Sequence, residues 1–129
     1  MKPVEQTILT VPGGNCFAAS VASILELPLD ALPVIEQHED GQWFYQWLDW
    51  LGPLNLTFVL IASSPSWTPL GYAILSAQSP RDLCLHCVVC FNGKIAWDPS
   101  PWREQGVGEW RDWIIFQVLD PSKPVGSLP

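Results

Sequence analysis

An α+β fold is what this sequence predicts, on three observations. Apolar residues recur at helical spacing only in the first half of the chain, over 17–27 and about 42–51. From Leu56 onward the pattern changes to short β-prone runs. Asn92-Gly93, a dipeptide that favours a two-residue turn, joins two of those runs as a hairpin. Helices first and an antiparallel sheet second place the N-terminal helix, with its cysteine, against the sheet. The chain has 129 residues, 48% of them apolar, enough for a real core. No linker or repeat divides it, so 1–129 reads as a single domain.

The elements follow in order. Residues 1–14 read as an extended lead-in closed by the turn Val11-Pro12-Gly13-Gly14. In the first helix, over 17–27, Phe17, Val21, Ile24 and Leu25 keep helical spacing, while Ala18, Ala19 and Ala22 allow close packing. Asn15 is its expected N-cap and Pro28 forces its end. Residues 29–32 allow one short turn before Pro33, and His38-Glu39-Asp40-Gly41 is a polar loop. The second helix, about 42–51, carries Trp43, Phe44, Trp47, Leu48 and Leu51 on one broad face and ends at Gly52-Pro53. Strands are expected over 56–62, 71–76, 84–91, 94–97 and 113–119. The tail, 120–129, is rich in Pro, Ser and Gly and reads as loose.

Composition narrows the function. A formal charge of −7, with six Lys and Arg scattered along the chain, makes no basic stripe and argues against nucleic acid. The same anionic surface argues against membrane docking. Lys2 is followed by Pro3 and Glu5-Gln6 instead of an apolar run, so no signal peptide is expected. Nor does any apolar run approach the about 20 residues needed to span a bilayer. A cytoplasmic chain with four free thiols is the simplest reading. Eight tryptophans point to an aromatic core or an aromatic-lined cleft.

Cys16 stands where the Gly-Gly turn hands over to the first helix, a position where a side chain is usually accessible. A helix N-terminus favours a thiolate, because unpaired N–H groups and the helix dipole attract negative charge. The competing reading is a small buried hydrophobe. His86 lies in the apolar strand Leu85-His86-Cys87-Val88-Val89-Cys90 and must be hydrogen-bonded, as a core residue or as a catalytic base. His38, in its acidic loop, reads as ordinary surface. Asp98 is either a turn carboxylate before Pro99 or the group that orients His86. A plain hairpin pairs Cys87 with Asp98, and a bulge or twist brings the carboxylate to His86.

Cysteine, histidine and carboxylate together make a nucleophile, its base and the orienter of that base. One oxyanion donor is the Cys16 backbone N–H; the second is the side-chain amide of Gln6 or of Asn15, and Gln6 is the better candidate where Asn15 caps the helix. Asn15, Trp97 and Arg81 are the expected substrate contacts, Arg81 toward an anion. Cys84, His86, Cys87 and Cys90 form the one competing metal constellation. Strand alternation sends Cys87 to the opposite face, so the expectation is no metal and no cofactor, with the three cysteines as apolar filler.

Seven segments also resemble a group of small uncharacterised proteins of bacteria, prophages and tailed phages. They are Val4-Glu5-Gln6-Thr7, Gly14-Asn15-Cys16-Phe17, Leu25-Glu26-Leu27-Pro28-Leu29, Gly71-Tyr72, Ser79-Pro80-Arg81, His86-Cys87-Val88-Val89 and Trp97-Asp98-Pro99. The order Gln, Cys, His, Asp is similar to the papain-like cysteine peptidases. That resemblance implies a papain-like fold with Gln6 as the oxyanion amide, Cys16 as nucleophile, His86 as base and Asp98 as orienter. The chain departs from the pattern in being short and in placing Gln6 further ahead of the cysteine. The expected activity is a cysteine hydrolase, a peptidase or amidase, acting on a peptide or protein. The alternative is a non-catalytic module that binds a host or phage protein.

Overall fold

The computed structural model describes residues 1–9, 14–35, 41–81 and 84–126. The turn Val11-Pro12-Gly13, the loop residues His38-Glu39-Asp40 and residues 127–129 lie outside them. Among the described residues the chain forms two α-helices and a five-stranded antiparallel sheet, an α+β arrangement as the sequence predicts. No helix among them is long and apolar enough to cross a membrane.

Helix α1 (Cys16–Leu25) is the centre of the fold, with Cys16 through Ser23 all buried. A helix buried all round needs its polar groups satisfied internally. Ser20 and Ser23 donate to the carbonyls of Cys16 and Ala19, at 2.8 Å each. The helix ends two residues before the expected Leu27. Pro28 disfavours helical geometry at Leu27, so the chain closes earlier, with Glu26 left-handed (φ 58°) and the Leu27 N–H returning to the Ala22 carbonyl. Helix α2 (Gln42–Leu51) buries Trp47 and Leu51 and lays Trp43, Phe44, Leu48 and Trp50 against the same core. Phe17 meets Trp43, Trp47 and Phe58 edge-on, at ring separations of 5.6, 5.0 and 6.0 Å. The helical tryptophans are therefore core, and α1 is fixed against α2 by aromatic geometry.

The strands β1 (Leu56–Ala62), β2 (Tyr72–Gln78), β3 (Leu85–Phe91), β4 (Lys94–Trp97) and β5 (Trp110–Val118) are ordered β1-β5-β2-β3-β4. The last strand starts at Trp110, before the expected Trp113. It lies between β1 and β2, and partners on both sides satisfy its backbone even where the side chains are polar. Cys87, Ile74 and Ile114 belong to the core shared with the helices, whereas Val88, Cys90, Leu75 and Trp113 form a second core. Residues 120–126, read as loose, reach Asn55: its amide donates to the Asp120 and Lys123 carbonyls at 2.9 and 3.0 Å, and the Gly126 N–H reaches Leu54.

One irregularity positions the site. Asn92 and Gly93 both have positive φ (50° and 80°), as the tight hairpin turn requires, and Phe91 pairs with Lys94. A plain ladder would then set Asp98 opposite Cys87, on the face away from His86. Instead the register shifts: Cys90 pairs with Ile95 but Val89 with Trp97, leaving Ala96 as an extra residue. A one-residue bulge moves every later side chain to the other face. Asp98 thereby joins the face of Val88 and His86.

Candidate active site

Cys16 is the first residue of α1. Asn15 stands at the N-cap position, yet its side chain makes no cap hydrogen bond. Its Oδ1 instead accepts the Thr7 and Ile8 N–H groups, both at 2.9 Å, and its Nδ2 donates to Thr7 Oγ1 at 2.9 Å. Two backbone donors of the lead-in outcompete the helix for the amide oxygen. The expected cap is thus a clamp on the lead-in, with one hydrogen of its amide committed to Thr7. With no side-chain cap, the positive end of α1 acts on Cys16 directly. The lead-in is also tied to the segment after β4, because the Gln6 N–H donates to the Pro99 carbonyl at 3.0 Å.

The structure brings Cys16, His86 and Asp98 together. His86 Nε2 lies 2.6 Å from Asp98 Oδ1, with both side chains buried. Asp98 Oδ1 also accepts the Ser100 N–H at 2.9 Å, an Asx turn. The turn and the orienting contact, posed as alternatives by the sequence, are made by one carboxylate oxygen. With Nε2 held, Nδ1 is the ring nitrogen left for Cys16, to which His86 is hydrogen-bonded. Arg103 braces the turn: its Nε donates to the Asp98 carbonyl at 3.1 Å, it pairs with Glu5, and it stacks 4.5 Å over Trp97.

The electrostatics favour an ion pair. A hydrogen bond from the Cys87 thiol holds the Cys16 thiol well below the ordinary cysteine range; burial opposes this, and the bond and charge of His86 add to it. Burial works against a charged His86, but the hydrogen bonds and charges of Asp98 and Cys16 outweigh it and raise the ring to about 9. Thiolate beside imidazolium is the reactive state of a cysteine nucleophile.

Cys87 is the residue that sequence reasoning missed. Its N–H donates to Cys16 Sγ at 3.4 Å, in addition to the thiol contact. Alternation marked it as filler on the far face from His86. The available signal was adjacency: a sulfur that reaches the ring at 86 also reaches the N–H at 87. Cys16 itself is only 7% exposed, more buried than its position at a helix start suggested. The lead-in, clamped by Asn15 and tied to Ser23 through Lys2 and Val4, runs beside this helix, and Cys16 itself packs into the core it shares with Phe17 and Cys87.

The remaining expected residues divide. Gln6 is buried; its Nε2 spends one hydrogen on the Ile8 carbonyl at 3.0 Å, while its Oε1 has no partner among the described residues. Trp97 donates its indole N–H to the Val4 carbonyl at 2.9 Å, so its polar edge fastens the lead-in and does not face a substrate. Arg81 stacks 4.9 Å over Trp102 and donates to Gln105 Oε1 at 3.3 Å, partners the sequence reading did not anticipate. A cavity of about 550 Å³ opens beside the start of α1, lined in part by Asn15, Phe17, Ala18, Leu32 and Trp47. The two chain neighbours of Cys16 line it and Cys16 does not.

No protein-family model, no curated protein and no solved structure matches this chain.

The ion pair has a pH signature. Between about pH 6.5 and 8.5 the folded pair holds one proton, on His86, and the unfolded chain also holds one, on the thiol. Stability from the pair is flat across that window. Below about 6.5 the unfolded histidine binds a second proton that the folded pair does not bind until the thiolate protonates. Stability then falls by about 1.4 kcal/mol per pH unit. In Cys16→Ser there is no thiolate left to protonate, and His86 loses the hydrogen bond and charge by which Cys16 helps raise it, so this pair-linked fall below about 6.5 should be lost. Urea unfolding of both proteins from pH 5 to 8.5 measures the difference, in which His38 cancels. Parallel curves would mean that no ion pair forms.

Proposed function

We propose that this chain is a papain-like cysteine hydrolase, a peptidase or amidase of the cytoplasm acting on a peptide or protein substrate. The observation that carries the reading is the buried hydrogen-bonded line from Asp98 through His86 to Cys16, at the open end of a helix. The order of its residues and the packing of α1 on β3 support the papain-like assignment.

In this reading the Cys16 thiolate attacks the substrate carbonyl carbon and forms a thioester acyl-enzyme. The developing oxyanion is met by the Cys16 backbone N–H at the helix start and by the second hydrogen of the Gln6 amide. His86 passes its proton to the leaving amine, then takes one from the water that hydrolyses the thioester. Asp98 keeps Nε2 protonated, so that Nδ1 faces the sulfur throughout. An amine in place of water would turn the same intermediate to transfer.

The second reading, a non-catalytic module that binds a host or phage protein, draws on the 7% exposure of Cys16. Alkylation separates the two. With iodoacetamide at pH 6, an activated Cys16 reacts at least about ten times faster than Cys84, Cys87 or Cys90, because only a thiolate alkylates quickly. Equal rates at all four sites would favour the binding module.

A further inference from the structure

We propose that Cys16 and Cys87 are a reversible oxidation site, at which a hydroperoxide joins the two sulfurs in a disulfide that takes the nucleophile out of action. The inference goes beyond the hydrolase reading and does not require it. It rests on the contact between the two residues. The Cys87 N–H lies 3.4 Å from Cys16 Sγ, and the Cys87 thiol hydrogen-bonds the same sulfur. Nitrogen and Cβ of one residue are bonded to the same Cα, so the sulfur of Cys16 already lies close to the Cys87 side chain. A disulfide needs two cysteine side chains that meet at short range, and the thiol-to-sulfur hydrogen bond between Cys87 and Cys16, across the packing of α1 on β3, shows that these two meet.

The other cysteines lack this placement. Cys90 belongs to the second core, with Val88 and Trp113, and burial pushes its thiol up to about 12. Cys84 is half-buried and precedes β3.

The chemistry balances with one peroxide. The Cys16 thiolate attacks the peroxide O–O bond, giving a sulfenic acid and releasing hydroxide (or alkoxide). The Cys87 sulfur then attacks the sulfenic sulfur, the S–O bond breaks, and the departing hydroxide takes the thiol proton as water. Each sulfur loses one electron, and the peroxide gains the two. The order of events is built into the pair. The hydrogen bond to the Cys16 thiolate, then burial, then the charge of that thiolate hold the Cys87 thiol protonated in the reduced protein. A neutral sulfenic acid at Cys16 removes two of these three, the hydrogen bond to a thiolate and its charge, and so makes Cys87 easier to deprotonate as it attacks. The disulfide fills the place of the reactive sulfur, and a dithiol reductant restores it.

The test oxidises the whole protein with a few equivalents of hydrogen peroxide, alkylates it, and maps peptides without reduction. Trypsin leaves Cys84, Cys87 and Cys90 on one peptide between Arg81 and Lys94, so fragmentation assigns the link. The expected result is loss of two of the four thiols, a Cys16–Cys87 bridge, and full return of both thiols with dithiothreitol. Labelling of Cys16 at pH 6 should fall at least tenfold and recover in step. Cys16 carried to sulfinic acid while Cys87 still alkylates, or a bridge to Cys84 or Cys90, overturns the proposal. So does a wild-type protein that keeps all four thiols. Cys87→Ser, checked for native circular dichroism, should lose Cys16 irreversibly to the sulfinic acid; recovery equal to wild type would also overturn it. Masses and thiol counts are read, so an absence of hydrolysis leaves the outcome unaffected.

Discussion

Cys16→Ala is expected to abolish turnover of every peptide or isopeptide that the wild-type protein cleaves. Without the sulfur no acyl-enzyme forms, and what binding and oxyanion donors still contribute is small beside covalent catalysis. In serine hydrolases, loss of a triad member leaves about 10³–10⁴-fold over the water reaction, out of a far larger total. A fall of at least about 10³-fold is therefore the expected reading in a substrate panel run with both proteins. Stability should also drop. An exposed residue at a helix start would leave no cavity, but Cys16 is 7% exposed and packs in the helix-side core with Phe17, Val21 and Cys87. Losing a buried sulfur of that size costs about 1–2 kcal/mol, well short of unfolding a domain this large. Denaturant unfolding checks this half of the expectation. A folded Cys16→Ala protein that cleaves at the wild-type rate would remove Cys16 from the reaction.

The parts of the site legible in the sequence were those fixed by local chemistry. Cys16 could be placed at a helix start because a Gly-Gly turn precedes it and Pro28 bounds the far end. Asp98 could be brought toward His86 because Asn92-Gly93 admits few turn geometries. What was hidden depended on competition at long range. Asn15 has the right chemistry for a cap, yet the N–H groups of Thr7 and Ile8 claim its oxygen. Trp97 and Arg81 looked available because their partners, Val4 and Trp102, are distant in sequence. The insertion of β5 between β1 and β2 was equally invisible, since an apolar strand does not name its neighbours. The extra residue Ala96 is the instructive case. No local signal marks it, and it alone decides which face Asp98 joins.

Asp98→Ala and Asp98→Asn should come apart, and the separation tests the role of the charge. Asp98 Oδ1 holds two buried donors, His86 Nε2 at 2.6 Å and the Ser100 N–H at 2.9 Å. Alanine leaves both unpaired and strands an imidazole in a site shaped for its charged form. Breaking a buried pair in this way costs about 3–5 kcal/mol, the largest loss expected from a single change at the site. Asparagine keeps an oxygen for both donors, so the ring holds its orientation and the protein should fold with a much smaller loss. What asparagine lacks is the negative charge. His86 then comes down from about 9 and the Cys16 thiol rises with it, because each holds the other ionised. Alkylation of Cys16 in Asp98→Asn should be about tenfold slower than wild type at pH 6. The two rates should converge as pH rises and the variant's thiol ionises as well. Equal rates at pH 6 would reduce Asp98 to the Asx turn it makes with Ser100. A variant slow at every pH would mean instead that orientation was lost along with the charge.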